Sequence, residues 1–411
     1  MILRRLSCVV LCVLQLAFAG MVNAAAPEQQ DGLYLNAMRA IADGRQDDAS
    51  AELERMVRLE PQHAGAWLDL AILQCELGHA QEAERLFEAI VTRFAPPAGI
   101  LEVIAKSRAR GCDGWRANSK LSVLAGRGAD SNVNQGASSP SFSFGFGETA
   151  VEAQLLPEFL PRRDQFTVLQ ADYSRDLTPN GTSGSLQLQA RINDRLKQYD
   201  TVAIIAGVER FWRWNDWSIR GAGSFGLLSL GGKLYQAQTV LQARVTPFIP
   251  ALPDNLSLTL IPAIAHVKYP SLTNYDANNA EIRTQLTWRL PSAEFNLSAG
   301  YVGDFATSAR PGGNRTGWSS GVRGTTRVAG NIVAELGWAR QTWQSQTAYS
   351  PGLIDTIRHQ DLQILRGALI FPIQKGNTLQ LELRNVHNVE NISLFQYNSR
   401  QVQLSWQWQN F

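Results

Sequence analysis

One stretch of the sequence has the spacing of a catalytic serine motif. Gly317, Ser319 and Gly321 match the nucleophile elbow, in which a serine lies on a sharp turn between a strand and a helix. The residues around this stretch alternate as they do in a strand, and no helical pattern follows. We therefore expect a chance match in a glycine-rich sequence, and we predict that the protein is not an enzyme.

Five histidines could supply ligands to a metal ion, namely His63, His79, His266, His359 and His387. Their spacing is not that of a metal site. A glycine-rich phosphate loop followed by Lys-Ser or Lys-Thr is also absent from the sequence. We therefore expect no metal and no cofactor.

Asp130, Asn132 and Asn134 place side-chain oxygens at alternate positions, as in the first half of a calcium-binding loop. The sixth position of such a loop must be glycine and the twelfth a bidentate glutamate, but Gln135 and Ser141 occupy them here. We therefore reject a calcium loop. Side chains of these types also bond their own backbone and stabilise turns, so this segment is either a turn that ends a strand or a functional gate.

The composition is that of a protein with one face in lipid. Charged residues make up 18% of the chain, against roughly 25% in soluble domains. Tryptophan is plentiful, with 11 residues, and it settles at membrane interfaces. The net charge of +2 indicates neither nucleic acid nor an acidic surface as a partner, and we expect no nucleic acid.

The first residues predict a secretory signal peptide over 1–24. Arg4 and Arg5 precede an apolar run, and a small-residue cleavage site follows it. Of the four cysteines, Cys75 and Cys112 remain after cleavage and would lie where disulfides form. Either they pair with each other, or one is a buried thiol and the other an exposed one.

Residues 30–110 carry a helical pattern that repeats itself. Matching residues stand 34 positions apart (67 − 33 = 34), as in Leu33 with Trp67, Ala37 with Ala71, Gly44 with Gly78, Ala49 with Ala83 and Leu53 with Phe87. The period resembles that of tetratricopeptide repeats. We predict a periplasmic helical domain with its better repeat at 64–97, a weaker copy at 30–63 and a third helix over about 98–110.

Stacks of such repeats expose a groove that binds extended peptides or partner proteins. We expect this groove near Trp67, Asp69, Leu70 and Gln74, on the first helix of the better repeat, with Gln74 exposed. Trp67 could instead belong to the core. The alternative for the whole domain is a plain helical spacer.

Beyond Trp115 the periodicity changes from helical to two, for example at 186–193, 282–290 and 402–409. The polar faces carry Arg, Glu and Gln, which suits a wet lumen, and several apolar faces end in Trp, as in an aromatic girdle. After the signal, no apolar run reaches the roughly 18 residues of a spanning helix. We therefore predict a multidomain fold, α then β: the tetratricopeptide-like domain, then a 14-stranded antiparallel transmembrane β-barrel over 117–411.

The predicted strands are 119–127, 165–176, 184–194, 199–212, 216–226, 234–246, 255–268, 279–290, 293–304, 316–327, 331–342, 357–371, 377–386 and 394–409. With a periplasmic helical domain, connections after odd-numbered strands face the cell exterior. Those connections are mostly long, as at 128–164, 227–233 and 343–356, although 195–198 is short. Connections after even-numbered strands are tighter, as at 291–292. Long outside and short inside is the outer-membrane pattern.

The sequence ends on Phe411, and a terminal aromatic residue is typical of outer-membrane barrels. Phe411 is out of step with Trp406 and Trp408, so a bulge or a frayed end would have to intervene. We expect outer-membrane lipids and the barrel-assembly machinery as partners, and the bacterial outer membrane as the location.

The segment Asp130-Ser131-Asn132-Val133-Asn134 resembles the start of the barrel in surface lipoprotein assembly modifiers. In that family a glycine-containing strand and a motif close to this one open the barrel, and tetratricopeptide repeats precede it. The resemblance implies a fourteen-stranded barrel that helps move lipoproteins or secreted partners to the cell surface, with a protein client as partner. The helical domain is short for this family, so the resemblance supports the barrel more than it supports a lipoprotein client.

Two other functions remain open at this point. Exporters of cellulose and alginate also join tetratricopeptide repeats to a barrel, but usually with longer repeat arrays and with acidic and aromatic residues along the sugar path. Here the inward positions are mixed in sign. A nutrient porin with an incidental periplasmic domain is the other alternative.

Overall fold

The computed structural model describes residues 29–112, 114–144 and 151–410, and the chain divides into two compact units between Arg116 and Ala117. The signal peptide predicted over 1–24 and the terminal Phe411 lie outside the described residues. Among the helices that are described, none is long and apolar enough to cross a membrane.

The described residues of the first unit contain five helices: α1 (Gln29–Ala42), α2 (Gln46–Leu59), α3 (Ala64–Glu76), α4 (Ala80–Phe94) and α5 (Ala98–Arg110). α1 packs against α2 and α3 against α4, which makes two helical hairpins, and α5 follows them. The predicted tetratricopeptide-like arrangement of the helices is thereby confirmed.

Residues that match at the 34-residue period lie where these helices contact each other. Four matched alanines have no exposed surface, namely Ala37 with Ala71 and Ala49 with Ala83. A small side chain at these positions lets two helices approach closely. Gly44 and Gly78 end the first helix of each hairpin with φ of +72° and +86°, a conformation that only glycine adopts without strain. The repeated residues are thus those that the hairpin geometry requires.

A disulfide joins Cys75, at the end of α3, to Cys112, just after α5, with their Cα atoms 4.5 Å apart. α5 otherwise contributes one fully buried side chain to the core of the unit, Ile104. The cross-link therefore fixes the last helix to the stack at a point where apolar packing is sparse.

Sixteen strands lie in the part of the second unit that the structure describes. They are β1 (Ser119–Asp130), β2 (Ser141–Phe144), β3 (Val151–Gln154), β4 (Asp164–Asp176), β5 (Thr182–Asn193), β6 (Thr201–Trp214), β7 (Trp217–Leu230), β8 (Lys233–Thr246), β9 (Leu256–Lys268), β10 (Ala277–Arg289), β11 (Ala293–Ala306), β12 (Arg315–Ala329), β13 (Ile332–Ser350), β14 (Ile354–Gln374), β15 (Asn377–Glu390) and β16 (Tyr397–Gln409). β1 and β4–β16 form one closed antiparallel barrel, and β2 pairs with β3 in a separate hairpin. The prediction of a fourteen-stranded barrel is confirmed.

The barrel closes where its first strand meets its last. Ser122 lies opposite Gln409 and Asp130 opposite Gln401, in an unshifted antiparallel register. On its other side β1 pairs with β4 along the whole of its length. No barrel strand is left with an unpaired edge, which is what a lipid environment demands.

Two strands run well past their predicted ends. The connection predicted over 343–356 is mostly strand, because β13 continues to Ser350 and β14 begins at Ile354. In this part of the hairpin Gln344 pairs with His359, so polar residues occupy the outward face. The apolar alternation stops there although the backbone pairing continues. A strand predicted from the alternation alone is therefore too short.

Two predicted connections also differ. The one placed at 227–233 is only the turn Gly231–Gly232, whose φ values of +57° and +79° are those of a tight hairpin turn. The Gly-Gly pair is the signal that could have located it. The connection at 128–164 contains the hairpin of β2 and β3, whose four-residue strands are too short for periodicity to reveal.

Replacing both Cys75 and Cys112 by serine should lower the free energy of unfolding of the helical unit by about 2–4 kcal/mol, since the link closes a long loop of the unfolded chain. Circular dichroism at 222 nm of the full chain in detergent should show the helical transition at lower temperature. The barrel, which contains neither cysteine, should keep its own transition. Reductant should shift the wild type but not the variant; equal melting of the two proteins would contradict a stabilising link.

Candidate functional site: the charged lumen and the first loop

The two faces of the barrel wall differ in chemistry. On β5, Leu186 and Leu188 are about two-fifths exposed on the outward face, while Gln189 and Arg191 alternate to the inward one. Phe166 on β4 faces the same way as Arg191 and is only 2% exposed. Exposed apolar side chains outside and polar ones inside are the pattern of membrane-spanning barrels.

Tryptophans mark one end of the outward face. Four that lie near the short-turn end of their strands are strongly exposed, namely Trp212, Trp214, Trp288 and Trp406. Amphipathic aromatic rings collect at the level of lipid head groups. They form part of the aromatic girdle that the sequence predicts.

The inward face carries a row of paired charges. Arg323 lies 2.5 Å from the carboxylate of Glu335, which also pairs with Arg366. Arg366 lies 2.7 Å from Glu382. Glu335 is 7% exposed, and a buried carboxylate is tolerated only with such partners. The row therefore neutralises itself across β12–β15.

Similar pairs occur elsewhere on the inward face. Arg358 and Glu390 form a bidentate pair with contacts of 3.0 and 2.6 Å. Arg315 reaches the buried Asp304 at 2.5 Å. The lumen is therefore lined by both signs of charge, and many of these charges form fixed pairs.

Asp130, the last residue of β1, is the centre of a buried polar cluster. Arg191 donates to its Oδ2 at 2.6 Å, as does Gln401 at 3.0 Å. Ser399 donates to Oδ1 at 2.7 Å, and Asp130 is only 4% exposed. One carboxylate thus connects β1 to β5 on one side and to β16 on the other.

A glycine and a phenylalanine make room for this cluster. A Cβ on Gly128 would lie 2.5 Å from the ring of Phe166 and 2.6 Å from the carbonyl oxygen of Val402. The guanidinium of Arg191 lies 3.9 Å from the centre of the same ring, within cation–π distance. Only glycine at 128 lets Phe166 lie flat under the arginine.

The residues that follow Asp130 fix the first loop, residues 131–163. Ser131 exchanges hydrogen bonds with the backbone of Arg400 on β16, at 3.0 and 2.8 Å. Asn132 donates to the carbonyl oxygens of Gly136 and Asn398 and accepts from the amide of Gly136, all within 3.0 Å. The start of the loop is thereby attached to the last barrel strand.

The other half of the motif holds the returning end of the loop. Asn134 donates to the carbonyl oxygens of Glu158 and Leu160 and accepts from the amide of Arg162. Val133 donates its backbone N–H to the carbonyl of Arg162 at 2.8 Å. The motif 130–134 is therefore an anchor with two sides, one on the barrel and one on its own loop.

The partners of the motif could not be read from the sequence. Alternation puts Arg191 and Gln401 on the inward face, but which of the inward residues meets Asp130 depends on the register of three strands. The motif could be a turn that ends a strand or a functional gate. Its geometry is that of a turn, and this turn attaches the first loop to the barrel.

The serine motif at 317–321 lies in the middle of β12, where no strand turns into a helix. The histidines have separate structural partners. His63 caps α3 by accepting from the amide of Ala66, His79 contacts Gln74, and His266 contacts Asn278. In the described parts of the chain no three metal-ligating side chains come together.

The four residues of the predicted groove do not form one exposed surface. Leu70 and Gln74 are buried, so the expected exposure of Gln74 is wrong; its amide donates to Ser50 Oγ at 2.9 Å within the helical core. Asp69 accepts a 2.6 Å hydrogen bond from the hydroxyl of Tyr34. This bond, together with burial, raises the pKa of Tyr34 to about 12. Asp69 therefore has a partner inside the unit.

Trp67 remains partly accessible. Its indole N–H donates to the carbonyl of Pro61, and its ring packs 6.2 Å from that of Phe94. Both readings of Trp67 thus hold in part, since it contributes to the core and keeps one edge at the surface.

A model of the tetratricopeptide repeat family matches residues 40–99. No curated protein matches the chain. Similar solved structures include OmpT of Vibrio cholerae in its trimer form (6% identity, TM-score 0.41, covering 72% of this chain and 99% of that one). An anion-selective porin from Comamonas acidovorans is also similar, with 10% identity and a TM-score of 0.38 over 72% of this chain and 100% of that one. The outer membrane channel DcaP of Acinetobacter baumannii has 11% identity and a TM-score of 0.40 over 72% of this chain and 97% of that one.

The anchoring role of Asp130 can be tested by limited proteolysis. Asp130→Ala leaves Arg191 without its carboxylate, and removing one partner of a buried pair costs roughly 3–5 kcal/mol. The first loop should then loosen, and trypsin should cut the folded protein after Arg162 or Arg163 faster than in the wild type. Asp176→Asn, an inward aspartate at the other end of the wall, should leave the rate unchanged. Equal rates for Asp130→Ala and the wild type would show that the cluster does not hold the loop.

Proposed function

We propose that the protein is an outer-membrane translocator that helps deliver lipoproteins or secreted proteins from the periplasm to the cell surface. The observation that carries the proposal is the combination of a protein-binding type of helical repeat with a closed barrel in one chain. Helical repeats of this type bind extended peptides and partner proteins. The barrel supplies a membrane-spanning wall with a polar interior.

The connections support an orientation with the helical unit in the periplasm. At the end of the barrel where β1 ends lie the first loop and the connections 194–200, 269–276 and 307–314. At the other end most turns are short, although 247–255 is not. In outer-membrane barrels the longer loops face the outside. The chain enters β1 from the short-turn end, which would then face the periplasm.

The last helix supports recruitment of a protein. Terminal helices of repeat stacks normally present a polar outer face. On α5, however, Leu101 is 41% and Val103 38% exposed. Residues two apart on a helix do not share a face, so Leu101 and Val103 lie on either side of the stripe that carries the buried Ile104. We take these two side chains as separate apolar contacts of the helical unit with its client.

A pore for small solutes is the second candidate. It is favoured by the paired charges of the inward face, which would line a water-filled channel as in porins. Conductance measurements in planar bilayers and uptake measurements in cells distinguish the two functions. A porin conducts ions without a client, and its loss changes solute uptake while surface proteins stay the same.

The translocator proposal predicts the effect of removing the helices. Deleting residues 30–110, together with Cys112→Ser to avoid a free thiol, should leave a folded barrel, because the barrel's hydrogen bonds close within β1–β16. In a strain lacking the native gene, the truncated protein should migrate faster on a gel when unheated than when boiled. Surface biotinylation should recover fewer lipoproteins than with the full chain. An unchanged surface proteome would reduce the helices to a spacer.

A milder variant tests the contact on α5. Leu101→Ser with Val103→Ser should reduce the surface level of the affected proteins several-fold, while Leu59→Ser, at a leucine on α2 that is even more exposed, should not. Because all three side chains are exposed, none of these changes should unfold the unit. If the α5 variant behaves like the Leu59 variant, the client binds elsewhere or not at all.

A further inference from the structure

The outward wall of β6–β11 carries an apolar groove with a volume of about 940 Å³. This volume is at the upper end of the range for small-molecule sites, roughly 300–1,000 Å³. Its floor is made of small outward residues, which include Gly221, Gly223 and Ala243. Larger side chains rise on both sides of them, among them Leu241 and Ile264, which are 55% and 58% exposed.

Glycines shape one wall of the groove. A Cβ on Gly221 would lie 2.7 Å from the indole ring of Trp212, so this ring can lie flat over the neighbouring strand only because residue 221 has no side chain. At the opposite wall a Cβ on Gly303 would lie 2.7 Å from the ring of Phe305, two residues further along the same strand. The two aromatic rings therefore border a depression instead of standing away from the barrel.

Two charged residues line this groove, Arg210 and Glu281. Glu281 alternates to the inward face of β10 and pairs with Arg283, so of the two only Arg210 presents its charge outward. Arg210 alternates outward between Val208 and Trp212 on β6, and its guanidinium carbon lies 5.7 Å from the centre of the Trp212 ring. Within the described ranges no carboxylate lies at ion-pair distance from it. Of the other outward arginines, Arg127 and Arg340 pair with Asp194 and Asp361. Arg175 has no carboxylate at ion-pair distance among the described residues, but it lies outside the groove.

The position of Arg210 fits the polar boundary of a membrane. It lies toward the end of β6 at which Trp212 and Trp214 are exposed. Tryptophans at this level mark the head-group region, and arginine side chains on a lipid-facing wall extend toward it. A guanidinium without a carboxylate partner is matched by a phosphate, which it can bind through two parallel hydrogen bonds.

We propose that this groove binds one glycerophospholipid, with the phosphate on Arg210 and an acyl chain along the floor at Gly223 and Ala243. The inference rests on the part of the proposed function that embeds the barrel in a membrane, and it is independent of what the protein transports. The charge and the apolar groove lie next to each other, as do the phosphate and the acyl chains of such a lipid. The ligand is therefore a phosphate-bearing lipid and not a free fatty chain.

Native mass spectrometry of the full-length protein in a nonionic detergent tests this site. The probes are phosphatidylglycerol and a diacylglycerol with the same acyl chains, which lacks the phosphate. The wild type should retain one phosphatidylglycerol and little diacylglycerol. Arg210→Gln should weaken retention of phosphatidylglycerol roughly tenfold, as expected for a lost charge-assisted hydrogen bond.

Two further variants complete the test. Arg175→Gln removes an outward arginine at the same end of the barrel but outside the groove, and should retain phosphatidylglycerol as the wild type does. Ala243→Phe fills the floor and should lose the lipid; its folding is checked by the gel shift on heating. Equal retention by Arg210→Gln and the wild type, or equal retention of the two probes, would overturn the proposal. Failure of the barrel to partition into detergent at all would instead refute its membrane location.

Discussion

The pairing of β1 with β16 is the contact on which the second unit depends. An antiparallel sheet of fourteen strands has two edges, and each edge is a row of backbone N–H and C=O groups without partners. In hydrocarbon such groups cannot find water, and each one left unpaired costs several kcal/mol. Joining Ser122–Asp130 to Gln401–Gln409 removes both edges in one step. The glycines of β1 matter here, since Gly126 and Gly128 lie against the backbone of β16.

Closure then divides the side chains of every strand between two environments. The outward set can be leucine, valine and tryptophan because lipid solvates them. The inward set includes arginine and glutamate, and the buried carboxylates among them are paired with arginines. Asp130 takes part both in the closure of the barrel and in the pairing of the inward charges. It ends the strand that closes the barrel, and its carboxylate joins that strand to β5 and to β16. The same residue begins the loop whose two ends are fixed by Asn132 and Asn134.

The sequence predicts the positions of helices and strands, because these follow from local periodicity. It does not predict which residues meet across strands, because that depends on the register between them. Alternation located all fourteen strands, and the repeat of 34 residues located the buried alanines, because both signals are local. The predicted β13 and β14 are too short, because the backbone pairing continues past Gln344 and His359, where the regular apolar alternation ends. Gln74 was placed at the surface because it is polar, yet Ser50, from another helix, satisfies it inside the core. The position of Arg210 beside the groove follows only from the alignment of six strands, which no single strand reveals.

The disulfide of the helical unit has a consequence for the attachment of its last helix. A link between Cys75 and Cys112 exists only where thiols become oxidised. When the two thiols are reduced, α5 is held to the stack mainly by the packing of Ile104 and by the ion pair of Arg108 with Glu84. In that state α5 separates from the other helices more easily, because the link no longer restricts the unfolded chain. Once the thiols are oxidised, α5 cannot separate from α3 until the disulfide is reduced, so the stability of the last helix depends on the redox state of its surroundings.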